Sequence, residues 1–320
     1  MKRAIILGVS GQDGAYLSRL LLDRGYEVHG SSRDAEMQSF RRLELLGIRD
    51  RVTMHSVSMR DFRELLQVIS NVQPDEIYNL AGQSSVALSF SQPIETMESI
   101  ATGELLVLEA IRYLRQPIRL YNSSSSESFG DTPAGFASDE RTPFVPRSPY
   151  ATAKATAHWT TTNYREAYGL FACSGILYNH ESPLRSERFV TKKIVAAAAA
   201  IARGERTRIA LGNTAVVRDW GYAPEYVEAM WRMLQRDEPD DFVIATGEAH
   251  TIAEFAAAAF AHFGLDAAQH IDVDESLFRP SDVAWSCGNP AKAEQLLGWY
   301  ASTHFEELVK LLCEAARSAG

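Results

Sequence analysis

A tyrosine and a lysine stand four residues apart, at Tyr150 and Lys154. Pro149 suits a first helical turn and Ser148 is a good N-cap, so a helix is predicted to begin here with both side chains on one face. A free phenol has a pKa near 10, about three units too high for a base at neutral pH, which is a deficit of roughly 4 kcal/mol. An ammonium group about 4 Å away supplies stabilisation of that order. The pair predicts a tyrosine base assisted by a lysine, although the spacing is also found on solvated helix faces.

A second acid–base candidate closes a run of serines, Asn122-Ser123-Ser124-Ser125-Ser126-Glu127. A strand predicted at 118–121 delivers this run to the carboxyl edge of a sheet, where ligands bind in open α/β sheets. The segment Ala81-Gly82-Gln83-Ser84-Ser85 follows another predicted strand, 76–80, and reaches the same edge. These segments and the start of the helix at 150–168 are therefore expected to form one site.

The turn Gly8-Val9-Ser10-Gly11-Gln12-Asp13-Gly14 separates a β-branched run at 4–7 from apolar residues at helical spacing. Gly8 permits a tight turn, Gly11 lets the backbone approach a pyrophosphate, and Gly14 lets the helix pack on the strand. A strand, this turn and a helix in succession predict a dinucleotide-binding site.

The end of the second predicted strand, 27–30, bears on the choice of dinucleotide. An NAD-specific protein usually carries an acid there for the ribose hydroxyls, and residues 30–32 hold none. Arg33 offers a forked cation to a 2′-phosphate, although Asp34 stands beside it. The sequence therefore favours NADP over NAD.

Short strands alternate with helices along the first part of the chain, which is typical of a parallel sheet. The fold class expected is α/β, a Rossmann-type doubly wound parallel sheet with a smaller α/β substrate-binding domain. The first domain is expected over 1–180, with 215–247 returning to it, and the second over most of 181–320. Further strands are predicted at 52–55 and 171–177, and further helices at 61–69, 95–114 and 189–203.

Composition excludes several classes of function. The 320 residues are 46% hydrophobic and 23% charged, with a net charge of −9, which argues against a nucleic-acid or anionic-membrane surface. The three cysteines have no Cys-x-x-Cys spacing, and no 18-residue apolar run occurs, so we expect a cytoplasmic protein without a disulfide framework. His180 has no second ligand at suitable spacing and is interpreted as a hydrogen-bonded loop histidine, so no metal is predicted.

Several motifs together carry a family likeness. The sequence resembles the extended short-chain dehydrogenase/reductase family that acts on nucleotide sugars, and within it the GDP-mannose 4,6-dehydratase branch, from end to end. The motifs specific to this branch are Gly11-Gln12-Asp13-Gly14, Asn179-His180-Glu181-Ser182-Pro183 and Arg218-Asp219-Trp220-Gly221. The other segments that carry the likeness are Gly25-Tyr26-Glu27-Val28-His29-Gly30, Tyr78-Asn79-Leu80-Ala81-Gly82-Gln83-Ser84, Arg147-Ser148-Pro149-Tyr150, Ile244-Ala245-Thr246-Gly247-Glu248 and Arg279-Pro280. The glycine and Tyr/Lys motifs identify only the wider family.

The resemblance implies a redox-neutral reaction in which NADP is reduced and then reoxidised. Tyr150 would take the proton of the sugar C4 hydroxyl as hydride leaves C4, and Glu127 would remove the C5 proton and assist the C6 hydroxyl out as water. Ser125 stands where the family has a threonine that holds the C4 oxygen. The implied product is GDP-4-keto-6-deoxymannose.

The resemblance also implies a set of binding residues. Four are implied to be catalytic: Ser125, Glu127, Tyr150 and Lys154. The cofactor would be held by Gly8, Ser10, Gly11, Gln12, Asp13, Gly14, Arg33, Ser58, Met59, Leu80, Ala81, Gln83, Tyr150 and Lys154. The GDP-sugar would be held by Ser84, Ser125, Ser126, Glu127, Asn179, Val190, Lys193, Arg218 and Arg279.

This chain departs from the family pattern at four further places. An arginine of the family is replaced by Asp34, and an Asp-Leu pair expected near the adenine by Ser58-Met59. A lysine before Arg218 is replaced by Val217, and the loop after the sixth strand reads Arg185-Ser186-Glu187-Arg188-Phe189. These changes bear on cofactor affinity and sugar selectivity.

Two alternatives stay open from the sequence. A sister enzyme, such as a GDP-4-keto-6-deoxymannose reductase or a GDP-heptose 4,6-dehydratase, would share this machinery, and a non-catalytic binding protein would be expected to lose Tyr150, Lys154 or Glu127. The family further implies a homodimer through the helices at 95–114 and 150–168, or a homotetramer through the loop that carries Arg33.

Overall fold

The structure, a computed structural model, describes residues 1–318. Its strands are β1 (Arg3–Leu7), β2 (Glu27–Ser32), β3 (Val52–Ser56), β4 (Glu76–Asn79), β5 (Arg119–Ser125), β6 (Ala172–Leu177), β7 (Asn179–Glu181), β8 (Ile209–Leu211), β9 (Val217–Arg218), β10 (Trp220–Tyr222), β11 (Phe242–Ile244), β12 (His250–Thr251) and β13 (Ile271–Val273).

Its α-helices are α1 (Gln12–Asp23), α2 (Arg41–Leu45), α3 (Phe62–Val72), α4 (Val86–Ser91), α5 (Pro93–Met97), α6 (Gly103–Leu114), α7 (Pro149–Tyr168), α8 (Val190–Ala202), α9 (Ala223–Leu234), α10 (Ile252–His262), α11 (Ala267–His270), α12 (Ala291–Leu297) and α13 (Phe305–Ser318). Short 3₁₀ segments lie at Arg49–Arg51, Ser126–Phe129 and Glu275–Leu277, and a π-helical segment at Glu98–Thr102. No helix within residues 1–318 combines the length and apolar character needed to cross a membrane.

Seven parallel strands form the central sheet, in the order β11-β6-β5-β4-β1-β2-β3. Their side chains are buried on both faces in the centre of the sheet, as the apolar sequence of β1 requires. Apolar clusters lie on each face, one between the sheet and α1 and α9, the other between the sheet and α3 and α6. This order is that of the doubly wound Rossmann-type fold, so the predicted fold class is confirmed.

Strand β5 is longer than the sequence predicts. The prediction ended it at Tyr121, whereas the strand continues through Ser125. The reason is pairing with β6, since Ser123 lies opposite Gly175 and Ser125 opposite Leu177. The serines therefore form the end of a sheet strand, and Glu127 follows in the first turn beyond it.

The helix predicted at 95–114 is interrupted. The α-helical segments α5 and α6 are joined by the π-helical turn at Glu98–Thr102, which the periodicity of the sequence does not reveal. This turn packs against the loop after β4, where a β-carbon at Gly82 would lie 2.8 Å from Ile100. The turn therefore shapes the loop that carries Gln83 and Ser84.

A third apolar cluster lies in the C-terminal part of the chain, among α8, α10 and α13. Residues of the expected return segment, 215–247, contribute α9, which packs on α1, and β11, which pairs with β6. Helix α12, beyond that segment, also packs against β11 and α9. The division of the chain into two domains stays a prediction, with the first over 1–180 and 215–247 and the second over most of 181–320.

Candidate active site

The glycine turn between β1 and α1 is built for close approach of a ligand. Gly8 has φ +86°, and a β-carbon there would lie 2.8 Å from the carbonyl oxygen of Leu80. Helix α1 begins after Gly11 without a side-chain cap, so its first N–H groups point out of the helix end unpaired by a capping side chain. A free helix N-terminus beside a tight glycine turn fits the pyrophosphate of a dinucleotide.

A cavity of about 380 Å³ lies at the carboxyl edge of the sheet, between the loops after β4 and β5 and the C-terminal part of the chain. Many of the residues predicted from the sequence line it. These are Asp13, Leu80, Ala81, Gln83, Ser84, Ser125, Ser126, Glu127, Tyr150, Lys154, Asn179, Val190, Lys193, Arg218 and Arg279.

Eight predicted cofactor residues lie outside this lining. Five of them, Gly8, Ser10, Gly11, Gln12 and Gly14, belong to the glycine turn and the start of α1. The other three are Arg33, Ser58 and Met59. The side chain of Arg33 is 84% exposed and lies 3.8 Å from the carboxylate of Glu95. Met59 is buried against Gly103, and the N–H of Ser58 donates to the carboxylate of Glu64. Their roles toward a cofactor stay predictions.

Helix α7 begins as the sequence predicts and presents Tyr150 and Lys154 to the cavity. Ser148 caps the helix, since its Oγ accepts the N–H of Ala151 at 3.0 Å. The ammonium nitrogen of Lys154 lies 5.9 Å from the centre of the Tyr150 ring and donates to the carbonyl of Ser123 at 2.6 Å. Both members of the predicted pair therefore reach the end of β5.

The electrostatic state of Tyr150 differs from the expectation. Burial is the largest cause that raises the pKa of Tyr150, to about 12, and the Glu127 charge adds to it, while a hydrogen bond with Ser125 acts in the opposite direction. In the free protein the pKa of Tyr150 is thus raised, whereas the spacing predicted a lowered one, and the ammonium group of Lys154 donates to the carbonyl of Ser123. Burial also lowers the pKa of Lys154, to about 8.

Glu127 lies between the tyrosine and a group of cations. Its N–H donates to Ser125 Oγ at 3.3 Å, and its carboxylate is 17% exposed and 3.9 Å from the guanidinium of Arg279. A carboxylate at the cavity wall, within reach of a cation but not locked to it, can accept a proton from a bound molecule.

The cations come from the C-terminal half. Asp282 joins two of them, at 3.1 Å from Arg218 and 3.2 Å from Arg279, and Lys193 donates to the carbonyl of Ala210. Arg218 is buried and also donates to the carbonyl of Val283 at 2.7 Å. Two guanidinium groups that share one carboxylate leave a net positive charge suited to a diphosphate.

Sequence reasoning missed an ion pair that joins two of the quoted motifs. His180 Nε2 lies 2.9 Å from the carboxylate of Asp13, and its Nδ1 lies 2.7 Å from the carbonyl oxygen of Tyr178. Burial opposes both charges, but the pairing lowers the pKa of Asp13 to about 2 and raises that of His180. The pair neutralises an acid in the first turn of α1, where an anion would otherwise be repelled.

The same two motifs meet at a second contact, in which Ser182 Oγ donates to the side-chain oxygen of Gln12 at 2.7 Å. His180 is thus more than the loop histidine that the sequence suggested. The only available signal was that both motifs belong to one family branch, because nothing local pairs residues 167 positions apart.

Arg185 and Arg188 also line the cavity and were noted only as part of an altered loop. Arg185 stacks on Phe189 with 3.6 Å between guanidinium carbon and ring centre, and forms a 3.2 Å ion pair with Glu181. Because Arg185 is balanced by Glu181, the net positive charge that this loop adds to the cavity wall comes from Arg188.

Comparisons with known proteins agree with this geometry. The family described as GDP-mannose 4,6 dehydratase matches residues 5–312. GDP-mannose 4,6 dehydratase 1 of Arabidopsis thaliana is 46% identical over 323 residues, covering 98% of this chain and 89% of the plant protein. GDP-mannose 4,6-dehydratase of Sinorhizobium fredii is 44% identical over 340 residues, covering 99% and 96% of the two chains.

Among solved structures, UDP-glucose 4-epimerase of Thermus thermophilus in complex with NAD superposes with a TM-score of 0.86 at 25% identity, covering 99% of this chain and 100% of the other. The fold shared with this NAD complex, together with the glycine turn of this chain, supports a nicotinamide dinucleotide as the cofactor. The match to the family over almost the whole sequence shows that this chain belongs to the GDP-mannose 4,6-dehydratase family.

Proposed function

We propose that this protein converts GDP-mannose to GDP-4-keto-6-deoxymannose and water, with no net change in the cofactor. One observation carries the proposal: two separate proton acceptors, Tyr150 and Glu127, border the same cavity with Ser125 between them. Oxidation of an alcohol alone needs one such group, whereas oxidation followed by elimination of water needs two.

Tyr150 and its neighbours are assigned to the first step. A nicotinamide, when bound, supplies a hydride acceptor and later returns that hydride. Tyr150 takes the proton of the C4 hydroxyl, Ser125 holds the C4 oxygen, and Lys154 supplies positive charge to the phenolate that forms. Tyr150 is protonated in the free protein, because burial raises its pKa to about 12, so the positive charge of Lys154, together with that of an oxidised nicotinamide ring when bound, is needed to make it a base.

Glu127 is assigned to the second step. The C4 carbonyl acidifies the C5 proton, which passes to the Glu127 carboxylate, and the same proton is then given to the C6 hydroxyl as it leaves as water. The nearby Arg279 holds the carboxylate at the cavity wall without neutralising it in a tight pair, since the separation is 3.9 Å. The hydride removed from C4 would return to C6 and a proton would be added at C5, balanced by the C4 hydroxyl proton that Tyr150 took, so the sum is loss of one water.

The GDP part of the substrate is assigned to the cationic wall. Arg218, Arg279 and Lys193 would contact the diphosphate, and Asn179 and Val190 the nucleoside. Asp282 holds both guanidinium groups in place, so that little reorganisation is needed when phosphate oxygens arrive.

The function is tested by incubating the purified protein and its cofactor with GDP-mannose, without added reductant. Mass analysis is expected to show a product lighter by one water. A parallel incubation with the GDP-heptose analogue tests the heptose dehydratase alternative, and a product only from that sugar would reassign the substrate. No product from either sugar, despite binding, would favour the non-catalytic alternative.

We infer further that NADP is the preferred form of the cofactor. Arg33 follows β2, the neighbour of β1 in the sheet, and its guanidinium is exposed and only loosely paired with Glu95 at 3.8 Å. Such a pair contributes little, so the side chain is available to a 2′-phosphate. The residues that would hold the rest of the cofactor are those of the glycine turn, Leu80, Ala81 and Gln83.

NADP is expected to bind more tightly than NAD by about 1–3 kcal/mol, the range for a charge-assisted hydrogen bond. Arg33→Ala should narrow this difference, while Arg51→Ala, an exposed arginine after α2, should leave it unchanged. Calorimetric titration of NADP and of NAD into the unaltered protein and the two variants measures this difference in affinity. Equal affinities of NAD and NADP for the unaltered protein would contradict the inference.

We also propose that the protein forms at least a homodimer through α6 and α7. Large apolar side chains are exposed on these two helices: Leu105 and Tyr113 on α6, Trp159 and Tyr168 on α7. Adjacent helices with exposed aromatic residues are suited to packing against a second copy. A homotetramer through the loop around Arg33 is the larger assembly proposed.

Light scattering at micromolar concentration is expected to give twice the chain mass or more. Trp159→Glu should shift the protein toward monomer, because a carboxylate would be buried in the interface. Tyr300→Glu, which alters an equally exposed aromatic residue outside α6 and α7, is the control. A monomer mass for the unaltered protein would refute the assembly.

A further inference from the structure

Glu104, the second residue of α6, is a carboxyl group with no exposed surface, and the mechanism above does not use it. Its oxygens are held by uncharged groups. Asn79 Nδ2 donates to one oxygen at 2.6 Å, and the other lies 2.9 Å from Thr161 Oγ1. Burying a carboxyl group without an ion pair lowers the stability of the fold, so we expect Glu104 to have a role that offsets this cost.

One of these contacts leads directly to the cavity. Asn79 accepts the N–H of Ala81 at 3.2 Å through the oxygen of the same amide that donates to Glu104. Ala81 lines the cavity, so Glu104 fixes the orientation of Asn79 and, through it, the backbone at the cavity wall.

The other contact shows that Glu104 can hold a proton. Thr161 Oγ1 lies 2.9 Å from both Glu104 and the carbonyl of Ala157, yet a hydroxyl has only one proton to donate. If the Thr161 hydroxyl donates to Glu104, the ionised carboxylate has a hydrogen-bond partner. If the hydroxyl donates to the carbonyl of Ala157 instead, a protonated Glu104 can donate to Thr161 Oγ1. Both states are hydrogen-bonded, and burial raises the pKa of Glu104 to about 7.

Lys154 lies close to this network, because its ammonium nitrogen donates to the carbonyl of Ser123 on β5, and the preceding residue, Asn122, lies opposite Asn79 of β4. The acids whose charges favour the ammonium form are Glu104 on α6 and Asp13 on α1, and they oppose the lowering of its pKa by burial. Helix α3 faces α6 with the apolar residues Leu65 and Ile69, and Tyr164 of α7 contacts Glu109. Glu104 is therefore the acid of the α6–α7 interface that acts on Lys154.

We propose that Glu104 is a positioning residue with two effects. Its buried carboxylate keeps Lys154 in its charged form, and its hydrogen bond with Asn79 fixes the backbone of Ala81 at the cavity wall. This rests on the proposed function only in the role given to Lys154. A proton on Glu104 weakens the hold on the ammonium group, so the two groups titrate as a coupled pair. The carboxylate thereby sets the highest pH at which Lys154 supports Tyr150.

The test measures the charge of Lys154 directly, without substrate or cofactor. The chain has six lysines, so the resonances of a protein labelled at the lysine ε-carbon can be resolved, and the signal lost in Lys154→Arg identifies Lys154. Glu104→Gln can keep both hydrogen bonds, with its oxygen accepting from Asn79 and its nitrogen donating to Thr161. It removes only the charge.

The Lys154 titration midpoint is expected to fall by about 1 unit in Glu104→Gln, so the ammonium fraction at the wild-type midpoint falls from half to about a tenth. Glu104→Asp should bring the midpoint most of the way back to the wild-type value. Glu109→Gln, which removes a half-buried acid paired with Arg112 on the same helix, should leave the midpoint unchanged. The alkaline limb of kcat against pH should move in the same direction in Glu104→Gln.

An unchanged midpoint in Glu104→Gln would overturn the proposal even if GDP-mannose is dehydrated normally. Should Glu104→Gln fail to fold, the wild-type protein still decides the matter, since the Lys154 resonance must show a second inflection at the pH at which Glu104 titrates. A single inflection would overturn it. Failure to dehydrate GDP-mannose, by contrast, would leave the lysine titration intact and count against the proposed function alone.

Discussion

Glu127→Gln should oxidise GDP-mannose at C4 and then stall, with reduced cofactor accumulating on the protein. Glutamine keeps the shape of the side chain but cannot accept the C5 proton, whereas Tyr150, Ser125 and Lys154 stay in place for the first step. Removal of a general base commonly costs about 10²–10⁴ in rate, so product formation should fall by that factor. The absorbance of the reduced nicotinamide, followed after mixing with substrate, reports the stall.

The wild-type protein should show little steady reduction in the same experiment, because hydride passes on to C6. Glu187→Gln, which neutralises an exposed acid of the nearby loop outside the cavity lining, is the matched control and should behave as wild type. Dehydration by Glu127→Gln at the wild-type rate would contradict the role of this carboxylate. Stoichiometric consumption of NADPH with a ketosugar by the wild type would instead support the reductase alternative.

Tyr150→Phe should abolish the first step, so that neither reduced cofactor nor dehydrated product forms. The phenol oxygen is the only atom removed, and with it the group that accepts the C4 proton, for an expected loss of about 10²–10⁴ in kcat. Binding of GDP should be little changed, because the diphosphate contacts are proposed for Arg218, Arg279 and Lys193 and not for Tyr150. Single-turnover absorbance and GDP titration together measure both effects.

The control for this variant is Tyr164→Phe, which removes a phenol oxygen from the same helix. Tyr164 contacts Glu109 at the other end of α7, away from the cavity, so kcat should stay near the wild-type value. Reduced cofactor forming in Tyr150→Phe at the wild-type rate would show that another group takes the C4 proton. The two variants, Glu127→Gln and Tyr150→Phe, thus separate the halves of the reaction.

The sequence alone determined the elements whose signals are local. The β-branched run at 4–7, the glycine turn and the Ser148-Pro149 cap each act through neighbouring residues, so β1, α1 and the start of α7 were predictable. Alternation of strands and helices likewise predicted the parallel sheet and its binding edge. Of the site residues that the family likeness named, most line the cavity.

Where the local secondary structure differs from the prediction, the signal lies outside the residues concerned or is too small to detect in the sequence. The serines at 123–125 have weak strand propensity, and β6 holds them in the sheet by backbone pairing. The π-helical turn at Glu98–Thr102 leaves the apolar spacing of a continuous helix almost unchanged, so periodicity could not detect it.

Tertiary structure alone decided the charges of the site. The spacing of Tyr150 and Lys154 predicted an activated phenol, but burial is the largest cause of the shift at each residue, and it raises the pKa of Tyr150 and lowers that of Lys154. Asp13 with His180, Arg279 with Glu127, and Glu104 with Lys154 come from distant parts of the chain. Their energies depend on separation and burial in space, which residue types and spacing along a sequence do not specify.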